Sequence, residues 1–274
     1  MSKTSIPLPV PENVGKLYDQ ILKDEHEYDQ FEKFNHQLHI GYWDDPSDQS
    51  VPMGEAVVRL TDLMIERLKV GAGDHVLDLG CGIGGPASQI VMNTGANVTG
   101  VSISEEQIKL AARLAANKGV AERAKFQRAD AMQLPFEDES FDAVMALESI
   151  LHMPSREQVL SEARRVLKPG GRLVLTDFFT RAPHNHDAEL HPAIEGFCRV
   201  AMITMADVDD YAAMLHRVGL RVRELRDITE QTMDRTWRAT LEIVALNDRP
   251  VPYDLNDLLG VEEFGCLLVA AERP

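Results

Sequence analysis

The chain has 274 residues, of which 44% are apolar and 26% are charged, and its formal net charge is −16. This apolar content excludes an intrinsically disordered chain and is enough for a large hydrophobic core. We therefore expect one domain over residues 1–274. The excess of carboxylates argues against partners that carry many negative charges, namely nucleic acids and anionic membranes.

The three cysteines, Cys81, Cys198 and Cys266, match neither a disulfide framework nor a metal-ligand spacing. Residues 1–10 lack the apolar stretch of a signal peptide. No run approaches the roughly 18 apolar residues that cross a bilayer. We expect a cytoplasmic protein that acts on a small molecule, and a homo-oligomer is compatible with these features.

The first 70 residues predict an N-terminal helical segment that can serve as a lid. Apolar residues recur at helical spacing in residues 14–34 and again in residues 53–68. Between these two stretches lies the block 39–43, which reads His-Ile-Gly-Tyr-Trp.

From residue 76 onward, short apolar runs alternate with amphipathic stretches. Strands are predicted at residues 76–79, 98–102, 125–129, 141–146, 172–178, 220–228 and 266–271. Helices are predicted at residues 86–92, 105–117, 156–167, 207–218 and 231–246. This order predicts a doubly wound α/β fold with a mostly parallel seven-stranded sheet and helices on both faces. Residues 71–180 would form the ligand-binding core, and residues 181–274 would add cap insertions and the last strands.

A glycine-rich loop over residues 80–85 joins the first of these strands to the next helix. Gly80, Gly82 and Gly85 satisfy the G-x-G-x-x-G pattern of dinucleotide-binding proteins, a weak signal by itself. Asp78 argues against a nicotinamide because its charge would repel a pyrophosphate. The acidic residue expected about 20 positions further on is also missing, since Ser102 ends the second strand. A carboxylate beside the loop suits a ligand with a positively charged amino-acid group, and a dehydrogenase remains the alternative from the glycines alone.

The segment 76–85 closely resembles the first motif of class I S-adenosylmethionine-dependent methyltransferases. Four later blocks resemble the family's further motifs in the same order; they are 100–104 with Gln107, 129–136, 141–144 and 167–172. The resemblance covers residues 36–178 and is greatest to bacterial enzymes that methylate sugars, polyketides and other natural products. It implies a Rossmann-like fold with a helical cap, S-adenosyl-L-methionine as the cofactor and a small-molecule acceptor. Sterol and tocopherol C-methyltransferases share the Gly-Tyr-Trp part of the block 39–43.

The resemblance also implies roles for individual residues. Those it assigns to the cofactor are Asp78, Gly80, Cys81, Gly82, Ser102, Ile103, Gln107, Asp130, Ala131 and Leu147. Asp78, with the backbone of Gly80 and Cys81, would hold the methionine amino group. Asp130 would accept a hydrogen bond from the adenine amino group. Ser102 stands where many relatives have an acidic residue, so Gln107 would supply the hydrogen bond to the ribose.

Two groups of aromatic residues have alternative interpretations. Tyr42 and Trp43 can close over the cofactor, or they can be core residues that anchor the N-terminal helices. Tyr18 can belong to a lid, or it can lie on an ordinary apolar helix face.

An alcohol acceptor needs a group that removes its proton, and His is the usual one near neutral pH. His152 follows the fourth core strand and Asp177 ends the fifth, so both are expected at the carboxyl-end rim of the sheet. We expect them to act as the base and its orienting partner or second base. Relatives often have a His pair at positions 151–152, whereas this chain has Leu151. A structural turn with a satisfied histidine is the alternative interpretation of His152.

A metal site is not expected, although histidines and carboxylates cluster after the fifth strand. The cluster consists of His184, His186, Asp187, Glu189 and His191, whose spacing matches no standard ligand set. The leading hypothesis is O-methylation of a natural product. The alternatives are a C- or N-methyltransferase and a cyclase or isomerase on the same scaffold.

Overall fold

The computed structural model describes residues 8–22, 32–181, 190–247 and 255–274. The helices are α1 (Pro11–Ile21), α2 (Met53–Leu68), α3 (Gly85–Thr94), α4 (Glu105–Asn117), α5 (Arg156–Val166), α6 (Pro192–Ala201), α7 (Val208–Arg217) and α8 (Thr229–Asn247). The strands are β1 (His75–Leu79), β2 (Asn97–Ser102), β3 (Ala124–Arg128), β4 (Phe141–Leu147), β5 (Leu167–Thr180), β6 (Ala206–Asp207), β7 (Arg221–Asp227) and β8 (Phe264–Glu272). Three 3-10 turns lie at Glu32–Phe34, Ile150–His152 and Leu255–Leu258.

Seven of the strands form one continuous sheet in the order β3-β2-β1-β4-β5-β8-β7. Strands β1 to β5 pair in parallel, and β8 is antiparallel to both β5 and β7. The short strand β6 pairs with the end of β5, outside this path. The predicted mostly parallel, seven-stranded, doubly wound sheet is therefore confirmed, with β6 as an addition. Because the chain moves from β1 to β2 and β3 on one side and to β4 on the other, a crevice opens at the carboxyl ends of β1 and β4.

Hydrophobic cores lie on both faces of the sheet, because neighbouring residues of a strand point in opposite directions. Val144 and Leu173 belong to one core, whereas Ala143, Met145 and Val174 belong to the other. Helices α5 and α7 cover the first face, and α2, α3 and α8 cover the second. Within the described ranges, no helix is long and apolar enough to cross a membrane.

The segment 40–43 ties the N-terminal part of the chain to the core. The backbone N–H of Tyr42 donates to Ala56 O in α2, and that of Trp43 donates to Gln231 O in α8, each at 2.9 Å. Trp43 is only 1% exposed, and its indole N–H donates to Val51 O at 3.0 Å. Of the two interpretations of these aromatics, the structure therefore shows the core anchors, and neither ring lines the cavity described below.

Helix α6 was not predicted from the sequence, although its signals are present. Pro192 opens it at a position where its missing N–H costs no hydrogen bond. The side chain of His191 accepts from Ala193 N at 3.3 Å and caps the helix. Ile194 and Phe197, three residues apart, are both buried. Helix α6 is short, and the polar residues before it masked this spacing.

Replacing Gly41 should destabilise the fold. A Cβ at position 41 would come within 2.5 Å of the Trp43 ring and 2.7 Å of Ala56 Cβ, so the core would have to move. We expect Gly41→Ala to lower the free energy of unfolding by about 1–3 kcal/mol, the usual range for overpacking. Chemical denaturation measures this change. Gly71→Ala is the matched control because a Cβ at Gly71 meets nothing within 4 Å. Equal stability of the two variants would contradict the explanation.

Candidate active site

A cavity lies at the carboxyl ends of β1, β2 and β4, at the switch point of the sheet. It holds about 760 Å³ of empty space, part of it open to solvent. Its walls come from α1, the glycine loop, the ends of β2, β3 and β4, and the loop 147–154. The predicted residues that line it are Gly80, Gly82, Ser102, Ile103, Gln107, Asp130, Ala131, Leu147 and His152. Tyr18 of α1 also lines it, in agreement with its interpretation as a lid residue.

The glycine loop has the backbone conformation that only glycine adopts without strain. Gly80, Gly82 and Gly84 have φ values of +75°, +51° and +84°. A Cβ at Gly80 would lie 2.3 Å from Ser149 Cβ, so the loop also crosses the chain after β4 too closely for any side chain. The N–H groups of Gly80 and Cys81 both donate to Val101 O at 2.9 Å. These two amides are therefore occupied within the protein, and the thiol of Cys81 is buried beside the cavity.

Asp78 is buried next to this loop, and one of its carboxylate oxygens, Oδ2, has no hydrogen-bond partner within the described part of the chain. Burial raises the pKa of Asp78 to about 7. An unpartnered carboxylate beside a glycine loop fits a ligand that brings an ammonium group. The residues present therefore fit the amino-acid end of the cofactor that the sequence implies.

The ribose end predicted from the sequence forms one hydrogen-bonded network. Ser102 Oγ donates to Gln107 Oε1 at 2.6 Å, which brings together the two residues predicted to replace the missing acidic side chain. Ser104 caps α4 by accepting from Gln107 N at 3.1 Å. Ser104 Oγ also donates to Asp19 Oδ1 of α1 at 2.5 Å, so the lid helix rests on this part of the cavity. The half-buried Asp130 lines the far end, and its Oδ1 accepts from the backbone of residue 132 at 2.9 Å.

His152 lies in the 3-10 turn after β4 and is held from both sides. Its Nδ1 lies 3.2 Å from Met202 O and its Nε2 lies 2.9 Å from the hydroxyl of Tyr18. A carbonyl can only accept, so Nδ1 carries the proton and Nε2 accepts from Tyr18. Burial lowers the pKa of His152 to about 4, so the ring is neutral at physiological pH. The side chain therefore offers a lone pair at the wall of the cavity.

Asp177 is not where the sequence predicted it. Its side chain is fully buried and its two oxygens accept from Arg156 Nε at 2.6 Å and Nη2 at 2.9 Å. The hydroxyl of Tyr211 donates to the same carboxylate at 2.9 Å. The residue before it, Thr176, faces the other side of the sheet and accepts from Glu148 N at 3.1 Å. Because successive strand residues alternate, the strand turns Asp177 away from the cavity, and it acts neither as the orienting partner of His152 nor as a second base.

Arg156 instead connects Asp177 to the loop that supports His152. It donates from Nη2 to Thr204 O at 2.7 Å, and Thr204 N in turn donates to Leu151 O at 2.9 Å. The ion pair of Arg156 and Asp177 is therefore linked through Thr204 to the 3-10 turn Ile150–His152.

Glu148 lines the cavity and was not singled out from the sequence. It follows β4 directly, has a left-handed backbone with φ of +46°, and accepts from Ile40 N at 3.0 Å. Burial raises the pKa of Glu148 to about 8. The signal available in the sequence is a charged residue at the carboxyl end of an apolar strand, within the block 146–149 that contributes to the family resemblance.

Among the described residues, no group of three His, Cys, Asp or Glu side chains is arranged to hold a metal ion. Of the cluster after β5, only His191 is described, as the cap of α6. His184, His186, Asp187 and Glu189 lie outside the described residues.

The comparisons with known proteins identify the family. A family model described as a methyltransferase domain matches residues 77–175. The methyltransferase GfsG of Streptomyces halstedii is 38% identical over 250 residues, which are 88% of each chain. The 27-O-demethylrifamycin SV methyltransferase of Amycolatopsis mediterranei is 37% identical over 248 residues, 89% of this chain and 87% of that one.

Solved structures agree with this family. The crystal structure of the 4+2 cyclase SpnF superposes with a TM-score of 0.82 and 26% identity, covering 99% of each chain. A geranyl diphosphate methyltransferase bound to sinefungin gives a TM-score of 0.80 at 18% identity over 96% of this chain and 99% of that one, a likeness in fold alone.

The sheet order, the glycine loop at the switch point and the cavity define a class I methyltransferase fold. The chain belongs to the S-adenosylmethionine-dependent methyltransferase family, and its cofactor is S-adenosyl-L-methionine. The predicted family, fold, enzyme class and cofactor are thereby confirmed.

The buried pair of Asp177 and Arg156 should contribute to stability. Asp177→Asn keeps the shape of the side chain but leaves the Arg156 charge without its partner, so we expect a loss of ~3 kcal/mol in the free energy of unfolding. Denaturation of Asp177→Asn, Arg156→Met and the double variant measures the coupling. Additive losses in the double variant would show that the two residues do not act as a pair.

Asp78 should make cofactor binding depend on pH. Its carboxyl is half protonated near pH 7 in the ligand-free protein, whereas a bound ammonium favours the ionised form, so binding releases a proton. We expect the affinity for S-adenosylhomocysteine to rise between about pH 5 and pH 7, by at most about tenfold per pH unit. Calorimetric titrations at several pH values measure this slope.

The matched variant for this measurement is Asp78→Asn, which should bind weakly and without the pH slope. Asp130→Asn, which alters the opposite end of the cavity, should weaken binding but keep the slope. If the affinity of Asp78→Asn still rose steeply with pH, the proton released on binding would come from another group.

Proposed function

We propose that this protein transfers a methyl group from S-adenosyl-L-methionine to a hydroxyl of a small natural product, with His152 receiving the proton. The observation that carries the proposal is the lone pair of His152 Nε2, which accepts from a hydroxyl, that of Tyr18, at the wall of the cavity. The named activities of relatives at similar identity support the acceptor class. They include the rifamycin enzyme and an O-methyltransferase of Penicillium expansum, the latter 34% identical over 81% of this chain.

The bound cofactor supplies a methyl group on a positively charged sulfur, which is already reactive toward a nucleophile. The protein therefore has to align the acceptor and remove a proton, and alignment alone can lower the barrier by several kcal/mol. The hydroxyl proton becomes strongly acidic as the new bond to oxygen forms. A weak base such as the desolvated His152 is sufficient to receive it at that stage.

Two neighbours of His152 determine which ring nitrogen carries the proton and which one accepts a hydrogen bond. Met202 O fixes the proton on Nδ1, so Nε2 keeps its lone pair without any tautomer change. Tyr18 occupies Nε2 in the ligand-free structure. An acceptor hydroxyl would take the place of the Tyr18 hydroxyl, because Nε2 has only one lone pair. The lid helix α1 would thus hold the acceptor end of the cavity closed.

A cyclase or isomerase that uses the cavity without methyl transfer is the second candidate. It is favoured by the similarity to the cyclase SpnF, which extends over 99% of both chains and therefore includes the cap. Cofactor binding without methyl transfer to any hydroxylated, amine or carbon acceptor would support it.

The remaining expectations complete the proposal. We propose one functional domain that acts in the cytoplasm, in line with the buried free thiols of Cys81, Cys198 and Cys266. The net charge of −16 disfavours a nucleic-acid acceptor.

The proposed base is tested by transfer of a labelled methyl group to a panel of hydroxylated polyketides and glycosides. We expect His152→Ala to lower kcat on the order of 100-fold, because the proton loses its acceptor, while the Kd of S-adenosylhomocysteine stays within about twofold. Tyr18→Phe is the matched control, since it removes the hydroxyl partner but leaves the imidazole. A kcat of His152→Ala equal to that of the wild type would exclude His152 as the base and would favour an amine acceptor.

A further inference from the structure

Glu148 is a cavity carboxylate for which the proposed reaction gives no role. One of its oxygens, Oε1, accepts from Ile40 N at 3.0 Å. The described residues provide no hydrogen-bond partner for the second oxygen, although the side chain is half-buried and lines the cavity. A carboxylate removed from water normally requires either a positive partner or a full set of donors.

The backbone holds Glu148 in an unfavourable conformation at this place. Its φ of +46° lies in the left-handed region, which is unfavourable for a non-glycine residue. The conformation is fixed by Thr176, which accepts from Glu148 N at 3.1 Å. Such strained residues cluster at ligand sites, where the surrounding structure determines them.

Among the described residues that line the cavity with Glu148, none is a Lys or an Arg. The lining includes the carboxylates of Asp130 and Glu148. The titratable groups that share the cavity with Glu148 are Asp130, Tyr18 and His152, and burial lowers the pKa of His152 so that its ring is neutral at physiological pH. Behind the cavity, the thiol of Cys266 is close enough for Glu148 to raise its pKa. The described part of the cavity therefore leaves Glu148 without a counter-charge, which a cationic ligand would supply.

We propose that Glu148 is the residue that distinguishes the positively charged methyl donor from its neutral product, S-adenosylhomocysteine. The proposal rests on the cofactor and on its proposed placement, and it does not depend on the acceptor or on the base. Glu148 follows Leu147 and precedes Ser149, which contacts the glycine loop, and it lies four residues before His152. The sulfonium joins the amino-acid group to the ribose, so it must lie between the glycine loop and the pair of Ser102 and Gln107, in the cavity that Glu148 also lines.

The difference between the two ligands is a single charge. The donor carries a sulfonium, whereas the product carries a thioether in the same place, and both carry the same amino-acid and adenosine groups. A carboxylate in the wall of the cavity attracts the sulfonium and gains nothing from the thioether. Glu148 would therefore favour donor binding and speed exchange of the spent product.

The same charge should change the protonation of Glu148. Burial raises its pKa to about 8, so the ligand-free protein carries a proton there at neutral pH. A sulfonium favours the ionised carboxylate, so donor binding releases this proton and product binding does not. The ratio of the two affinities should consequently increase with pH. The contribution of Asp78 cancels in this ratio, because both ligands carry the ammonium group.

Calorimetry with three defined ligands tests the proposal without any acceptor. They are S-adenosylmethionine, S-adenosylhomocysteine and sinefungin, which has an amine in place of the sulfonium methyl. At about pH 7.5 we expect the wild type to bind the two charged ligands about tenfold more tightly than S-adenosylhomocysteine. In Glu148→Gln the ratio should fall toward one, while the Kd of S-adenosylhomocysteine stays within about twofold.

Asp130→Asn is the matched charge control because it removes a carboxylate from the far end of the same cavity. Asp130→Asn should weaken the binding of all three ligands and leave the ratios of their affinities unchanged. The proposal would be overturned if Glu148→Gln kept the wild-type ratio of affinities. It would also be overturned if Asp130→Asn lowered that ratio as much as Glu148→Gln does.

If Glu148→Gln does not fold, the wild type still provides a test. In the wild type, the affinity for S-adenosylmethionine relative to that for S-adenosylhomocysteine should increase between about pH 6 and pH 7.5. A constant ratio would overturn the proposal. Because none of these measurements involves methyl transfer, a failure of the proposed O-methylation would leave the ratio unaffected. A failure of this proposal would likewise leave the role of His152 intact.

Discussion

At the carboxyl ends of β1 and β4, the glycine loop crosses the segment that follows β4. The two backbones approach so closely that residue 80 has no space for a side chain. A Cβ there would lie 2.3 Å from Ser149 Cβ, and Ser149 Oγ donates to Leu79 O at 2.5 Å. This contact joins the two sides of the switch point and leaves the crevice beside it open. Asp78 lies on one side of the crossing, and Glu148 and His152 lie on the other. The arrangement of the candidate site depends on this one close approach.

The N-terminal segment closes the crevice through three polar contacts, each with a different part of it. Asp19 accepts from Ser104 at the ribose end, Ile40 N donates to Glu148, and Tyr18 donates to His152. The segment is held in turn by the buried Trp43 and its neighbours in α2 and α8. A lid that touches both the cofactor end and the acceptor end can couple binding of one ligand to the position of the other.

The net charge of −16 acquires a specific meaning at this site. Most of the excess carboxylates lie at the surface, where they favour solubility. Asp78 and Glu148 are different, because burial raises the pKa of both and, within the described part of the chain, no salt bridge joins either to a cation. A ligand that carries an ammonium and a sulfonium matches this pair of carboxylates. The acidity that argued against nucleic acids thus includes two carboxylates whose charges suit a cationic ligand.

The sequence by itself determined the order of strands and helices, the glycine loop and the methyltransferase family, because these depend on local periodicity and on motifs that are continuous in the chain. It did not determine which way the side chains at the end of β5 point. Period-two alternation shows that Thr176 and Asp177 face opposite sides, but only the packed sheet shows that Thr176 faces the cavity loop and Asp177 faces Arg156. The burial of Trp43 and the exposure of Glu148 to the cavity likewise depend on elements distant in the chain, such as α8 and the segment at Ile40. Contacts of this kind arise when the sheet and its lid come together, so only the tertiary structure decided them.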